Sequence, residues 1–247
     1  MDDLLIVLSN PRDGRHAEFN DWYSHIHVRD VMRLAGSSAV QRLRRVEVAG
    51  VETDPSFDYL AVYECQDIER LSAGHGAVFT PMMLISDSFD FAMREAYYTP
   101  HVHRQVAGAA IHEGNYVIER IGADAGPELV AWYDAMRMPA LMALPGIVSG
   151  TFASVAPHQM LAPHADSHHV GLYRTQDLAA TMAGWSKAPA LPAEISARLA
   201  CYTPLIPRWT AGDVVHPSVE GRLAEARARV ALGDRVHHGF PPELRLS

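Results

Sequence analysis

The chain is short of several features that would announce a function. It has only two cysteines, Cys65 and Cys201, too far apart for a metal or redox motif. Each falls in a strand-patterned stretch, where a buried free thiol is the expectation. No apolar run is long enough to cross a membrane. The short stretch Leu4 to Leu8 lacks the basic flank of a signal peptide, so the cytoplasm is the expected compartment. Basic residues are in the minority, 21 Lys and Arg against 29 Asp and Glu, for a formal net charge of -8. No basic stripe with interleaved aromatics occurs, which argues against a nucleic-acid partner. Gly-x-Gly-x-x-Gly, Gly-Lys-Ser/Thr and Gly-x-Ser-x-Gly turns are all missing, which removes the common dinucleotide, phosphate and nucleophile-elbow sites. Fourteen histidines are present, yet no His-x-x-x-His pair falls on a helix-patterned stretch. The expectation is therefore no metal and no cofactor.

What is present is an ordinary globular composition, 48% hydrophobic and 20% charged over 247 residues, and an internal repeat. Trp22-Tyr23 recurs as Trp132-Tyr133. The same offset carries Glu18 to Glu128, Met32 to Met142, Leu34 to Leu144, Gly36 to Gly146, Tyr63 to Tyr173 and Gln66-Asp67 to Gln176-Asp177. Tyr98-Thr99-Pro100 then meets Tyr202-Thr203-Pro204 at a slightly smaller offset, which implies a loss from the second copy's second helix.

The two copies share a pattern of elements. Leu4 to Ser9 and Tyr116 to Ile121 read as short apolar strands. Ala17 to Leu34 and Glu128 to Leu144 read as amphipathic helices ended by Gly36 and by Pro145-Gly146. Val40 to Val48 with Tyr59 to Cys65, and Val148 to Val155 with His169 to Thr175, follow as strands. Ile68 to Phe89 and Leu178 to Leu199 read as broken helices, and a last strand leads into each Tyr-Thr-Pro. The order β-α-β-β-α-β is the ferredoxin-like module. The expected fold is α+β: residues 1–110 and 111–210 as two fused modules closing into an intramolecular dimeric α/β barrel by burying their bare sheet faces. A C-terminal helix (Ser218 to Leu232) and tail fill 211–247, and a homodimer through that segment is left open.

The run Phe19-Asn20-Asp21-Trp22-Tyr23-Ser24-His25-Ile26-His27-Val28-Arg29-Asp30-Val31, closing in Leu34-Ala35-Gly36, resembles the first helix of EthD-like dimeric α/β-barrel proteins. Trp22, Tyr23, His27 and Asp30 fit that pattern, while Arg29 and Ala35 replace two of its prolines. The second copy keeps Trp132, Tyr133, Pro145 and Gly146 but has Arg137 and Ala140 where the first has His27 and Asp30. The resemblance implies a small-molecule enzyme among relatives that include cyclases, decarboxylases, lyases and monooxygenases, with distant tandem relatives that bind haem.

His27, one turn after Tyr23 and nearly one before Asp30, is the sharpest candidate. Asp30 would orient it as acid or base, and Tyr23 would hold an oxyanion. Tyr63, Tyr98, His101, His103, Arg137 and His169 are the candidate substrate contacts, although strand tyrosines are as readily core. Of His168-His169, alternation turns one inward. His25 is expected to face solvent, and His75, between glycines, is either exposed or part of a lid. The leading expectation is a cofactor-independent lyase, isomerase, dehydratase or cyclase acting on a small apolar or aromatic molecule. The alternatives are a cofactor-free or haem-dependent monooxygenase, the haem held through His101 or His103, and a non-catalytic ligand-binding barrel.

Overall fold

The computed structural model describes residues 3–34, 36–68, 70–71, 84–99, 104–106, 113–122, 127–156, 168–214, 220–221, 224, 227 and 236–238. Strand β1 (Asp3–Pro11) is apolar because both its faces are covered: Leu5 faces a helix layer, and Leu4, Ile6 and Leu8 face the other way into a second core. The first helix runs as α1 (His16–Trp22), a π-helical turn (Tyr23–His27) and α2 (Val28–Met32). Strands β2 (Ser37–Val46) and β3 (Tyr59–Cys65) follow, then β4 (Leu84–Ser86), β5 (Phe89–Thr99) and β6 (Arg104–Val106).

The second half repeats this plan. It comprises β7 (Asn115–Ile121), α3 (Pro127–Trp132), a π-helical turn (Tyr133–Arg137), α4 (Met138–Met142), β8 (Ile147–Ser154), β9 (His169–Thr175), α5 (Leu178–Trp185) and β10 (Ala197–Pro204). Both π-turns fall at matched positions of the repeat. Each helix is ended by a glycine with left-handed backbone, Gly36 at φ 101° and Gly146 at φ 84°. A Cβ on Gly146 would come within 2.9 Å of the Asp177 carbonyl oxygen, so the turn needs glycine for space as well as for φ.

The main sheet has the order β5-β1-β3-β2-β10-β7-β9-β8-β6, and β11 (Trp209–Thr210) also pairs with β2. Each half contributes the same antiparallel order, and β2 joins β10 edge to edge from Leu43↔Pro204 to Val46↔Cys201. One core lies between helix and sheet in the first half, a second between helix and sheet in the other half. The third, built from Leu4, Ile6, Leu60 and Val62 of one half with Tyr116, Ile118, Val170 and Leu172 of the other, fills the space between the sheets.

Three expectations need correction. Among the described residues the sheet does not close into a barrel. β5 pairs with β1 up to Thr99, Arg104–Val106 pairs with β8, and no ladder among the described residues joins β5 to β8. The helix expected over Ile68 to Phe89 is helical only at Ile68, Arg70 and Leu71 among the described residues; Leu84–Ser86 is strand, and Phe89 opens β5 by pairing with Pro11. Helix α5, capped by the Asp177 side chain on the Ala180 N–H at 2.9 Å, stops at Trp185. Pro189 and Pro192 follow, and Leu199 pairs with Glu119 in the sheet. The expected C-terminal helix is described only at 220–221, 224 and 227, all helical, and β12 (Val236–His238) returns to pair with β4.

The sheet register also corrects the repeat. Tyr98 stands opposite Leu5, and Cys201 stands opposite Val117, while Leu5 and Val117 face Tyr63 and Tyr173. Cys201, not Tyr202, is thus the counterpart of Tyr98. Tyr202 belongs to the core between the sheets, its hydroxyl donating to the Phe57 carbonyl at 3.1 Å.

Candidate active site

The first half's helix–sheet layer gathers Tyr23 and His27 from the π-turn with Tyr63 from β3. The Val28 N–H reaches back to the Tyr23 carbonyl, the i→i+5 bond that defines the turn. In that geometry Trp22 and Tyr23 both lean on His27: the Trp22 and His27 rings lie 4.9 Å apart at 30°, and Tyr23 meets His27 edge-on at 4.7 Å. His27 is half-buried, whereas Tyr23 and Tyr63 are buried. Neither tyrosine hydroxyl completes a well-formed hydrogen bond among the described residues. Burial raises the pKa of both, most strongly at Tyr63; the Tyr63 hydroxyl and the Arg42 charge act against burial at Tyr23. Asp30 is buried on the same helix, and its Oδ1 accepts from Arg33 at 3.2 Å.

Beneath this group lies Arg42 of β2, fully buried. It donates to Ser24 Oγ at 2.8 Å and to Asn20 Oδ1 at 2.6 Å, and its guanidinium lies over the rings of Tyr23 (4.5 Å), Tyr59 (5.0 Å) and Phe19 (5.2 Å). Asn20 and His16 in turn contact the Tyr59 hydroxyl at 2.8 and 3.0 Å. Burial lowers the Arg42 pKa to about 10.

The second half fills the equivalent layer differently. Glu119, where the first half has Val7, accepts from Tyr133 at 2.9 Å and is paired with Arg137. The Tyr133 and Tyr173 hydroxyls meet at 2.5 Å. Gly171 makes that meeting sterically feasible, since a Cβ there would stand 2.8 Å from the Tyr133 hydroxyl; the first half has Ala61 in its place. Phe152 stacks on Tyr133 with centroids 3.8 Å apart, in the position that Arg42 holds in the first half. Arg137 also donates to the Pro189 carbonyl.

The structure therefore brings Tyr23, His27, Asp30 and Tyr63 onto one helix–sheet layer and places Arg137 and His169 in the other. His169 is the inward member of its pair, stacked on Phe152 at 5.3 Å, with His168 exposed. His25 is exposed beside Asp21 at 3.9 Å. The Tyr98 backbone is in β5, its side chain lies outside the described ones, and His75, His101 and His103 lie outside the described residues. Among those described, no cluster of three His, Cys, Asp or Glu could hold a metal ion. No helix among them is long and apolar enough to cross a membrane. Both cysteines are buried thiols. Of the methionines, Met32, Met138 and Met182 are core and Met93 and Met136 exposed.

Neither Arg42 nor Glu119 belongs to a recognisable motif. At the equivalent position of the other half each is exchanged for an apolar residue, Phe152 and Val7, and that mismatch in the repeat is the signal that marks them.

No protein-family profile matches the chain, and no curated protein does either. Solved structures do. An anthrone oxidase-like protein is matched with a TM-score of 0.50 at 12% identity, over 88% of this chain and 96% of that one. A protein of Fusobacterium nucleatum, provisionally named a monooxygenase, is matched with a TM-score of 0.51 at 8% identity, over 83% and 93%. The fold is the ferredoxin-like one that these structures share. At these identities the likeness extends to the fold alone. Its direction nonetheless corrects the leading expectation of a cofactor-independent lyase, isomerase, dehydratase or cyclase, because the proteins sharing the fold bear oxidoreductase names.

Proposed function

We propose that the chain is an oxygen-using oxidoreductase of the monooxygenase or oxidase type, acting on a small aromatic molecule in the first half's helix–sheet layer. The observation that carries this reading is the composition of that layer: a half-buried imidazole, two buried tyrosine hydroxyls with no hydrogen-bond partner among the described residues beyond each other, and a buried guanidinium beneath them. That set can take a proton and hold the anion left behind. His27 removes the proton of an activated C–H, and Tyr23 and Tyr63 donate to the resulting enolate or phenolate oxygen. Tyr98, His101 and His103 are further candidates for the wall around the substrate.

An electron-rich anion of this kind gives one electron to dioxygen, and the radical pair combines into a peroxide. The peroxide takes back the proton from His27 and loses water. The net change is CH2 + O2 → C=O + H2O, which balances without an outside reductant.

Anthrone, suggested by the name of the first matching structure, is the substrate to try. Purified protein should consume oxygen with anthrone in step with product, and exclusion of oxygen should stop the reaction. His27→Ala should lower the rate by about 10²–10⁴-fold, the usual worth of a positioned base. Oxygen-independent turnover, or an unchanged rate in His27→Ala, would overturn the reading. A haem band in the visible spectrum of the purified protein would move the oxygen chemistry from the substrate anion to the haem.

A further inference from the structure

Three arginines are buried among the described residues, and two hold carboxylates. Arg120 is paired with Glu95 and Asp54, and Arg137 with Glu119. Arg42 has none. Its partners are neutral: Ser24, Asn20 and three aromatic rings, and its Nε is buried without a hydrogen bond. A buried cation lacking a counter-ion is costly, so an anion brought beside it is favoured. The second half supplies the contrast on the same scaffold. There Phe152 replaces Arg42, and the layer carries its own carboxylate, Glu119, already satisfied by Arg137 and Tyr133. In the second layer the buried carboxylate and the buried guanidinium answer each other. In the first, no carboxylate among the described residues stands against the Arg42 guanidinium.

We propose that Arg42 is the positioning cation for an oxyanion in the first half's layer, acting through the ring and hydroxyl of Tyr23, and that the ligand is therefore an aromatic molecule bound as its phenolate or enolate. The inference rests on the proposed function for its location but makes a separate claim, about which ionisation state of the ligand is held. The groups facing the Arg42 guanidinium are Tyr23, Ser24 and Asn20 of the helix, Phe19 beside them, and Tyr59 of β3, with Tyr63 coupled electrostatically. His16 adjoins Tyr59, His27 adjoins Tyr23, and Asp30 is engaged by Arg33. Asp30 is the carboxylate of this helix segment that is buried, and it makes no described contact with Arg42. The Arg42 charge also works against the burial that keeps Tyr23 protonated, which makes its hydroxyl a stronger donor to an anion.

Para-nitrophenol tests this without turnover, because its phenolate absorbs in the visible and its neutral form does not. Wild-type protein should bind the phenolate in preference and so lower the apparent pKa of the bound probe. Arg42→Met, close in length and apolar, should weaken phenolate binding about ten- to hundred-fold, the worth of a hydrogen bond to a charged group, and leave the neutral form's affinity nearly unchanged. Arg42→Lys should restore part of the preference. Tyr23→Phe, which keeps the ring, should lose it as well, and it serves if Arg42→Met fails to fold. No binding of the probe by wild type, equal binding of its two forms, or a phenolate preference that survives both Arg42→Met and Tyr23→Phe would overturn the proposal. Phenolate selectivity without oxygen consumption would sink the oxidase reading and leave Arg42 in place. Oxygen consumption with unchanged selectivity in Arg42→Met would do the reverse.

Discussion

The two helix–sheet layers show how few residues separate a core sealed by its own ion pair from one built around an arginine without a described carboxylate. Val7 against Glu119, Ala61 against Gly171, His27 against Arg137 and Arg42 against Phe152 are the differences that count. In the second half, Glu119 and Arg137 satisfy each other out of water. Removing one partner strands the other's charge, so Arg137→Met should destabilise the chain by about 3–5 kcal/mol. The double variant Glu119→Gln with Arg137→Met should recover much of that loss. Equilibrium denaturant unfolding of the single and double variants reads both, and an equal loss in the two would show that the charge is not the cause. Much of this was legible. Tyr23 and Tyr63 were visible as repeated tyrosines, and His27 as the residue that the second copy exchanges for Arg137. Arg42 was not, because it stands beside Gln41, Arg44 and Arg45 in β2 and reads as one more outward-facing polar residue.

At the level of elements, the strands were the easiest to anticipate. Tyr59–Cys65 and His169–Thr175 run between the expected limits because each is bounded by turn residues and buried on both faces. The second helices were overextended, since the local pattern of Phe89 and Leu199 is equally compatible with helix, and only pairing with β1 and β7 decides for strand. Neither π-turn could be read from the sequence, because helical and π-helical segments share the same residue preferences and differ by one residue of register. That register is what leans Trp22 and Tyr23 on His27. Deleting the exposed His25 should convert the turn to ordinary α-helix, rotate Tyr23 away from His27, and abolish oxygen consumption with helix content retained by circular dichroism. Deleting Ala135, its exposed counterpart in the second half, should cost stability and spare the activity. Activity that survives the first deletion would show that the turn has no part in the site.

For the molecule as a whole, the stacking of two bare sheet faces was foreseeable from the repeat, whereas the lack of a β5–β8 ladder among the described residues was not, since it depends on pairing between segments far apart in sequence. The halves are also held by charge. Glu64 of β3 accepts from Arg174 of β9 at 2.9 Å and from Arg208 at 2.6 Å. Burial would raise the Glu64 pKa, but the two guanidinium groups outweigh it and hold the carboxylate below its ordinary value. A depressed carboxylate adds stability above its unfolded pKa, about 4.3 for Glu, and loses that contribution as pH falls through the folded value. Glu64→Gln should therefore be less stable than wild type at neutral pH, with the difference closing as the solution is acidified. A gap independent of pH would assign the loss to packing. Glu64→Arg should be worse still, and adding Arg174→Glu should repair it in part.

Glu64 and Arg174 occupy the same place in the two copies of the repeat, one residue beyond Tyr63 and Tyr173, and they meet each other across the interface. Two identical copies placed in that way would set like charge against like, glutamate on glutamate or arginine on arginine. Each half has in effect become the other's complement and ceased to be its own. The covalent link between the halves thus joins two surfaces whose charges match each other better than either would match its own copy.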